Sequence, residues 1–544
     1  MIRIKPRQGL LELGLGNKTI ERLKSWVEHW ENRLLVWGLL VLSVVTYWSY
    51  YRNGLGLAYN DARSHLDIGR RVVEGLKPGL AQLGSVWLPL NHILMVPTIW
   101  NDWMWHSGLS GAIQSMVGFV ITGLVVSWYL KELKVGLLGR LAGVGLFIAN
   151  LNVLYLQSTA MTELLLIVTM TLGAYELLLW HKDETLLHLI KAGFWIMMST
   201  LVRYDGWFLL VTAMMLIVRQ AWAKSGYKKA EGVVVFFMTL AALGIGLWLL
   251  WNLLIFKDPL YFAFGPFSAH AQQQQLNDAG VLITKSNWLQ SVKVYAVALL
   301  YNSYTIPTIL AGVGMLLLWA DKSLSKAVRW SSLALLAPLV FNILALYLGF
   351  SVLFIQGIAG NTWFNVRYGI MLMPAIAIFI GFLVDRAKKF RPLVLLSLAV
   401  ILFFALMGGD AVTIDDARVG SSQKNVSEVS GWLRENATGD SGYVLISAAS
   451  HDAIIFSSGL PMSRFIHEGT GKYWLSATAV PDRWAKYIIM RTHDKNDLTF
   501  RLVSETDAMD KYTLIDTFPF ADIYELKPEY WAQLETTIAD PEVR

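Results

Sequence analysis

The sequence predicts a mostly α-helical bundle of about 11 membrane-spanning helices, followed by a soluble mixed α/β unit. Three observations lead there. The 544 residues are 55% hydrophobic and 16% charged, with a mean hydropathy of +0.46, against a charged share of about 25% in soluble domains. Apolar runs of roughly membrane-spanning length recur between Leu34 and Gly408. Beyond Gly408 the composition turns charged, from Asp410 to Arg418, and no later run is long enough to cross hydrocarbon. Disorder and collagen-like repetition are excluded by these runs and by 12% aromatic residues. With no cysteine, thiolate catalysis, Cys-ligated metals and disulfides are excluded as well, which leaves carboxylates, histidines, arginines and backbone for any chemistry. The net charge of +6 reflects basic loops between apolar runs, so it predicts topology and no nucleic-acid partner.

Residues 1–33 mix Lys5, Arg7, Lys18, Arg22 and Lys24 with four glutamates and form an expected cytoplasmic segment. Leu34 to Tyr51, fenced by Arg33 and Arg52, is an uncharged run with no small-residue cleavage site, which predicts a retained first helix whose N-terminus is cytoplasmic. Further spans are expected near 108–130, 136–157, 160–180, 232–255, 294–318, 331–350, 367–384 and 393–408. The run 192–218 differs. Both its flanks are basic, and its middle carries Arg203-Tyr204-Asp205-Gly206. About 27 residues are too few for two full crossings, so it is expected to dip in from the cytoplasmic side, with Arg203 and Asp205 structural or lining a lipid path in that half.

This topology places the basic segments 131–140, 321–329 and 385–391 inside. Three segments remain outside: 52–107, 256–293 and everything after Gly408. The membrane unit is therefore read as 34–408 and the soluble extracytoplasmic unit as 409–544. In the latter, Val426, Val429, Trp432 and Leu433 mark a helix, and Tyr443–Ser447 and Tyr487–Met490 read as buried strands. Gln272 to Gln275 are expected to be a mobile part of the 256–293 segment.

The first external loop, 52–107, is dense in ionisable groups: Asn60-Asp61-Ala62-Arg63-Ser64-His65, then Asp67, Arg70, Arg71, His92 and Asp102. Leu66, Gly69, Val72 and Val73 recur at helical spacing, and Leu90 to Trp100 supply a partner, which predicts two helices lying at the interface. Asp61 is read two ways: as a partly desolvated base where the first helix leaves the bilayer, or as the N-cap of the helix that follows.

The order of these features resembles the GT-C membrane glycosyltransferases that use polyprenyl-phosphate sugars, most closely the branch of protein O-mannosyltransferases and the lipid A aminoarabinose transferase. Three local matches carry the resemblance: residues 60–65, Gln157-Ser158-Thr159-Ala160-Met161-Thr162-Glu163 opening one helix, and Asn365-Val366-Arg367-Tyr368 with Pro374 opening another. It implies that Asp61 is the catalytic carboxylate. In an inverting transfer from a sugar phosphate the phosphate leaves unaided by an acid, so one base aimed at the acceptor hydroxyl suffices. A guanidinium matches the departing phosphate; Arg367 is the first candidate, with snorkelling to the interface as its plainer reading, and Arg63, Arg70 and Arg71 follow. Lys293 and Tyr295 are further phosphate-facing positions. Glu163, His65 and Asp102 are candidate contacts for sugar or acceptor.

No metal and no other cofactor is expected, since the external segments lack an Asp-x-Asp motif and His65, His92 and His106 lack ligand spacing. The expected partners are the polyprenyl-phosphate sugar, membrane lipid and an acceptor that is a protein, a lipid or a glycan. The alternatives are a lipid or solute transporter with an external binding unit, for which the repeats and midplane charges of transporters are missing apart from Arg203 and Asp205, and a scaffold that binds partners through its C-terminal unit.

Overall fold

The computed structural model describes residues 17–536 apart from 267, 420–425 and 495; the first sixteen residues of the expected cytoplasmic segment lie outside that range. Helix α1 (Asn17–Arg52) starts ahead of its apolar run. The loop that follows folds into α2 (Asn60–Val73), α3 (Leu90–Ile99) and α4 (Asp102–His106). The pairing of α2 with α3 is the one read from the sequence, and Gly69 lets the two approach, since a Cβ there would meet the Met95 side chain at 3.3 Å.

The bundle continues with α5 (Leu109–Glu132), α6 (Leu137–Ile148), α7 (Leu151–Leu156) and α8 (Glu163–Asp183). The run expected as one span over 136–157 is broken at Asn150, whose side chain accepts from the Val153 N–H and starts a new helix. Then come α9 (Leu186–Thr200), α10 (Asp205–Ser225), α11 (Tyr227–Ala241) and α12 (Leu243–Phe256), the last two bent by 46°. Two short helices, α13 (Tyr261–Phe264) and α14 (Ala269–Asp278), follow. The glutamine run expected to be mobile is helical in α14, with Ser268 capping its start.

Next, α15 (Trp288–Ser303) and α16 (Thr305–Ala320) bend by 106° at Tyr304, a residue at φ +62°. The straight span expected over 294–318 is thus a sharp corner. After α17 (Lys326–Ser331) and α18 (Ala337–Leu348), a hairpin of β1 (Phe354–Ile355) and β2 (Ala359–Phe364) leads through a 3-10 segment, Val366–Leu372, into α19 (Met373–Arg386) and α20 (Arg391–Gly408). Among the described residues seven helical stretches are long and apolar enough to cross a membrane, or nine if each bent pair is one span. Peripheral helices expose apolar faces, such as Leu34, Trp37 and Val41 on α1 and Leu393, Leu396 and Phe403 on α20; that is the pattern of surfaces turned to lipid. The spans starting at Glu163 and Val366 are the innermost, each with 89% of its apolar window buried.

One end of the bundle gathers the basic loops: Arg140 pairs with Glu31 at 2.9 Å, Arg386 with Asp321 at 3.0 Å, and Lys182 with Glu132. At the other end sit the first loop and the C-terminal residues. There α21 (Val412–Val419) seats on the bundle, with the Thr413 N–H and Oγ1 both donating to Asn152 Oδ1 at 3.0 and 2.9 Å. Helix α22 (Val426–Asn436) and the strands β3 (Tyr443–Ile446) and β5 (Ala485–Met490) lie where the sequence pattern puts them. With β4 (Phe465–Ile466), β6 (Tyr512–Thr517) and β7 (Asp522–Leu526) they build a sheet in the order β4-β3-β5-β7-β6, parallel in its first three strands. The two-residue period of a strand divides β3 between two cores: Val444 and Ile446 join the large core that runs into the bundle, while Tyr443 and Leu445 join a smaller one with Trp484 and Leu526. Between β3 and β4 lies α23 (Ala448–Ser458), which packs on α2.

Candidate active site

Asp61, Glu163, Arg203 and Arg367 are far apart in the chain and meet at the loop-bearing end of the bundle. Each sits at the start of a helix or just before one, so bundle packing brings them together. Arg367 follows Asn365, which takes a left-handed conformation at φ +57° and donates from Nδ2 to the Val352 carbonyl at 2.9 Å, ending the β-hairpin and starting the 3-10 turn. That turn is pressed against α15: the Asn302 amide donates to the Val366 carbonyl at 2.7 Å, and a Cβ on Gly369 would lie 2.4 Å from the Ala298 carbonyl oxygen.

The Arg367 guanidinium is enclosed by three carboxylates. It contacts Asp61 Oδ2, donates from Nε to Glu163 Oε1 at 3.0 Å, and has Nη1 3.7 Å from Asp416 Oδ2. The Tyr59 ring lies 4.8 Å from its Cζ, and the Tyr59 hydroxyl donates to Asp416 at 3.1 Å. Arg203 adds a second guanidinium, 3.4 Å from Glu163 Oε1, 3.3 Å from Thr162 Oγ1 and 3.5 Å from Asp205 Oδ2. Tyr368 sits between the two cations, its ring 4.5 Å from Arg203 Cζ and 5.4 Å from Arg367 Cζ, which softens their repulsion through the ring face. Buried charge on this scale persists only when paired.

The two arginines and Asp61 border a cavity of about 180 Å³, which is also lined by His65, Trp87, Thr162, Asp205 and Asn342. Of the four carboxylates, Asp61 has 41% of its side chain exposed, whereas Glu163, Asp205 and Asp416 have 3% or less. His65 Nδ1 lies 2.9 Å from His92 Nε2, one donating and the other accepting. Burial first, then Arg367 and Arg203, push His65 down to about 3, so the imidazole is neutral near pH 7.

Several expectations are corrected by this geometry. Arg203 and Asp205 are not in the opposite half of the bundle: α9 and α10 reach beyond the apolar run 192–218, so their apex stands beside Glu163 and Arg367. The polar ends of these helices are invisible to a count of apolar residues. Arg63 turns away, donating to the Leu57 carbonyl at 2.9 Å and to Ser457 Oγ at 3.2 Å. Arg71 lines a different cavity. Asp102 is paired with Arg70 at 2.5 Å and is 75% exposed, outside the Asp61 cavity. Glu163 holds the two arginines and has no exposed surface through which to touch a sugar. Tyr295 is buried against the Tyr368 carbonyl at 3.3 Å, and Lys293 is exposed away from the cavity. Sequence reasoning missed Tyr59 and Asp416; the doubled Asp415-Asp416 directly after the last span was the available signal. Among the described residues no group of three or more His, Asp or Glu side chains is arranged to hold a metal.

No family model matches the chain, and no curated protein sequence matches it. Solved structures do. ArnT from Cupriavidus metallidurans in the apo state superposes with a TM-score of 0.54 at 11% identity, over 94% of this chain and 99% of that one. The same protein bound to undecaprenyl phosphate gives 0.53 at 11% identity, over 90% and 98%. The oligosaccharyltransferase of Archaeoglobus fulgidus in its apo form gives 0.51 at 12% identity, over 86% of this chain and 70% of its own. With so little shared sequence the likeness is one of architecture: the chain shares the GT-C fold with these structures.

Proposed function

We propose that the chain transfers a sugar from a polyprenyl-phosphate donor to an acceptor hydroxyl at the external membrane face. The observation that carries this is the exposure of Asp61 into a cavity whose other walls include Arg203, Arg367 and the shielded Asp205. The GT-C fold supports it, as does the undecaprenyl phosphate bound by ArnT. Basic loops at the far end of the bundle favour that end as cytoplasmic, which turns the cavity outward.

In this reading Asp61 accepts the proton of the acceptor hydroxyl as its oxygen attacks the anomeric carbon. The bond from that carbon to the donor phosphate breaks, and the electron pair leaves with the polyprenyl phosphate. Arg367 and Arg203 meet the charge that grows on the phosphate oxygens. Glu163 and Asp205 hold the two guanidiniums in place, so little reorganisation is needed as the charge develops.

The test is transfer of labelled sugar from a panel of polyprenyl-phosphate donors by purified protein, wild type beside Asp61→Asn. Loss of a general base costs about 10²–10⁴-fold, so Asp61→Asn is expected to lose at least that much while unfolding near the wild-type midpoint. Transfer at an undiminished rate would remove Asp61 from the mechanism.

A further inference from the structure

We propose that a second cavity, behind the Val86–Trp87 wall of the first, binds an anionic group on a saccharide acceptor through Arg71. This rests on the transfer reading above and names the acceptor for it. The cavity measures about 530 Å³ and lies between the first loop and the C-terminal unit. Helix α2 serves both cavities by its periodicity: Asp61 and His65, four residues apart, face the first, while Ser64, Ile68 and Arg71 face the second.

Arg71 differs from every arginine near it. Its neighbour Arg70 is held by Glu74, by Asp102 at 2.5 Å and by the Ile99 carbonyl at 2.8 Å. Arg71 is half-buried, its Nε is shielded, and among the described residues it has no hydrogen bond or ion pair. Glu468, in the same wall, feels the attraction of Arg71 but makes no ion pair with it among the described residues. Both oxygens of Glu468 accept backbone N–H groups at the start of α23, from Ala448 at 2.9 Å and Ala449 at 2.6 Å. Burial and Arg71 itself push His467 down to about 3, and burial, with His65 and Arg71, holds His92 well below its ordinary value. A half-buried guanidinium whose fork meets no carboxylate directly can take an anion from outside, and its planar fork suits a carboxylate or a phosphate monoester.

The rest of the wall suits a sugar. Phe256 and Tyr261 stack with centroids 4.6 Å apart and planes within 2°, and together with Trp87 they offer flat apolar surface beside the cation. Trp87 belongs to both cavities, so an acceptor anchored at Arg71 runs past it toward Asp61. Ten helical residues separate the two side chains, roughly 15 Å along α2, which puts the anchoring charge and the reacting hydroxyl on different rings of one glycan.

The experiment is ligand binding by saturation-transfer NMR to the purified full chain, with glucuronic acid and glucose 6-phosphate beside glucose and inorganic phosphate. Both anionic sugars are expected to bind about tenfold or more tightly than glucose, in the wild type and equally in Asp61→Asn. Arg71→Gln should erase the preference, Arg71→Lys should keep part of it, and Arg203→Gln should leave it whole. A wild type with no preference, a preference that survives Arg71→Gln, or one lost in Arg203→Gln overturns the assignment. Inorganic phosphate binding as tightly as glucose 6-phosphate overturns the saccharide part. Because binding is read without turnover, failure of the Asp61 mechanism leaves this result distinct.

Discussion

The two cavities share a wall yet treat charge in opposite ways. In the first, two guanidiniums are surrounded by four carboxylates, and every one of these ions has a partner within 4 Å. In the second, one guanidinium stands with none among the described residues. A saturated network fixes geometry, because each side chain is held from several sides; Arg71 feels only the longer-range attraction of Glu468 and is not fixed in that way. On the proposed reading the difference separates positioning from recognition: the first cavity would hold one arrangement of reacting atoms, and the second would take a counter-ion brought from outside.

Glu163→Gln breaks that contrast most severely. Glu163 is fully buried, and one of its oxygens joins Arg367 at 3.0 Å and Arg203 at 3.4 Å. Removing one partner from a buried ion pair costs about 3–5 kcal/mol, because it strands the other charge. The variant is expected to lose that much in denaturant unfolding of the solubilised protein and to lose transfer as well. A loss under about 1 kcal/mol would mean that Asp61 and Asp416 suffice to hold Arg367, and that the network is redundant.

Much of the first cavity is legible in the sequence because its parts lie where apolar runs begin and end. Asp61 follows the first span, Glu163 opens a second, and Arg367 opens a late one, so the topology alone brings them to one end of the bundle. The α2–α3 pair, α22 and two sheet strands are legible from periodicity. What escapes is depth and direction. The apex at Arg203 is misplaced because the polar ends of α9 and α10 extend the pair beyond its apolar core. Arg63, Arg70 and Arg71 look equivalent in a list of residues, yet helical geometry sends one to Ser457, one to Asp102 and one into the second cavity. The corner at Tyr304 has no apolar signature at all, since both arms are apolar.

Histidines sharpen the comparison next. Two are held at about 3: His65, in the wall of the first cavity, by burial, Arg367 and Arg203, and His467, next to Glu468 of the second, by burial and Arg71. A folded value below the ordinary 6.5 means that the unfolded chain binds the proton first. The stability this contributes is complete above about pH 6.5 and is lost as pH falls toward 3. At pH 5 one such histidine costs about 2 kcal/mol relative to pH 7. The Nδ1 of His467 also accepts the Gly469 N–H at 3.1 Å, a bond that protonation removes. The drop in unfolding free energy between pH 7 and pH 5 is therefore expected to shrink by about that amount in His467→Gln, and by part of it in Arg71→Gln. An unchanged drop in both would mean that Arg71 does not act on His467.

The smallest effect belongs to Asp102, the acidic residue that lies outside both cavities. It meets Arg70 at 2.5 Å but is 75% exposed, and solvent screens such a pair to about 1 kcal/mol or less. Arg70 does not depend on it, being held also by Glu74, by the Ile99 carbonyl and by the Trp105 ring 4.7 Å from its Cζ. Asp102→Asn should therefore leave transfer at the wild-type rate and shift unfolding by less than about 1 kcal/mol. A fall in transfer with stability unchanged would return Asp102 to the acceptor path. The boundary between a carboxylate that reacts and one that only decorates the loop would then no longer follow the cavity walls.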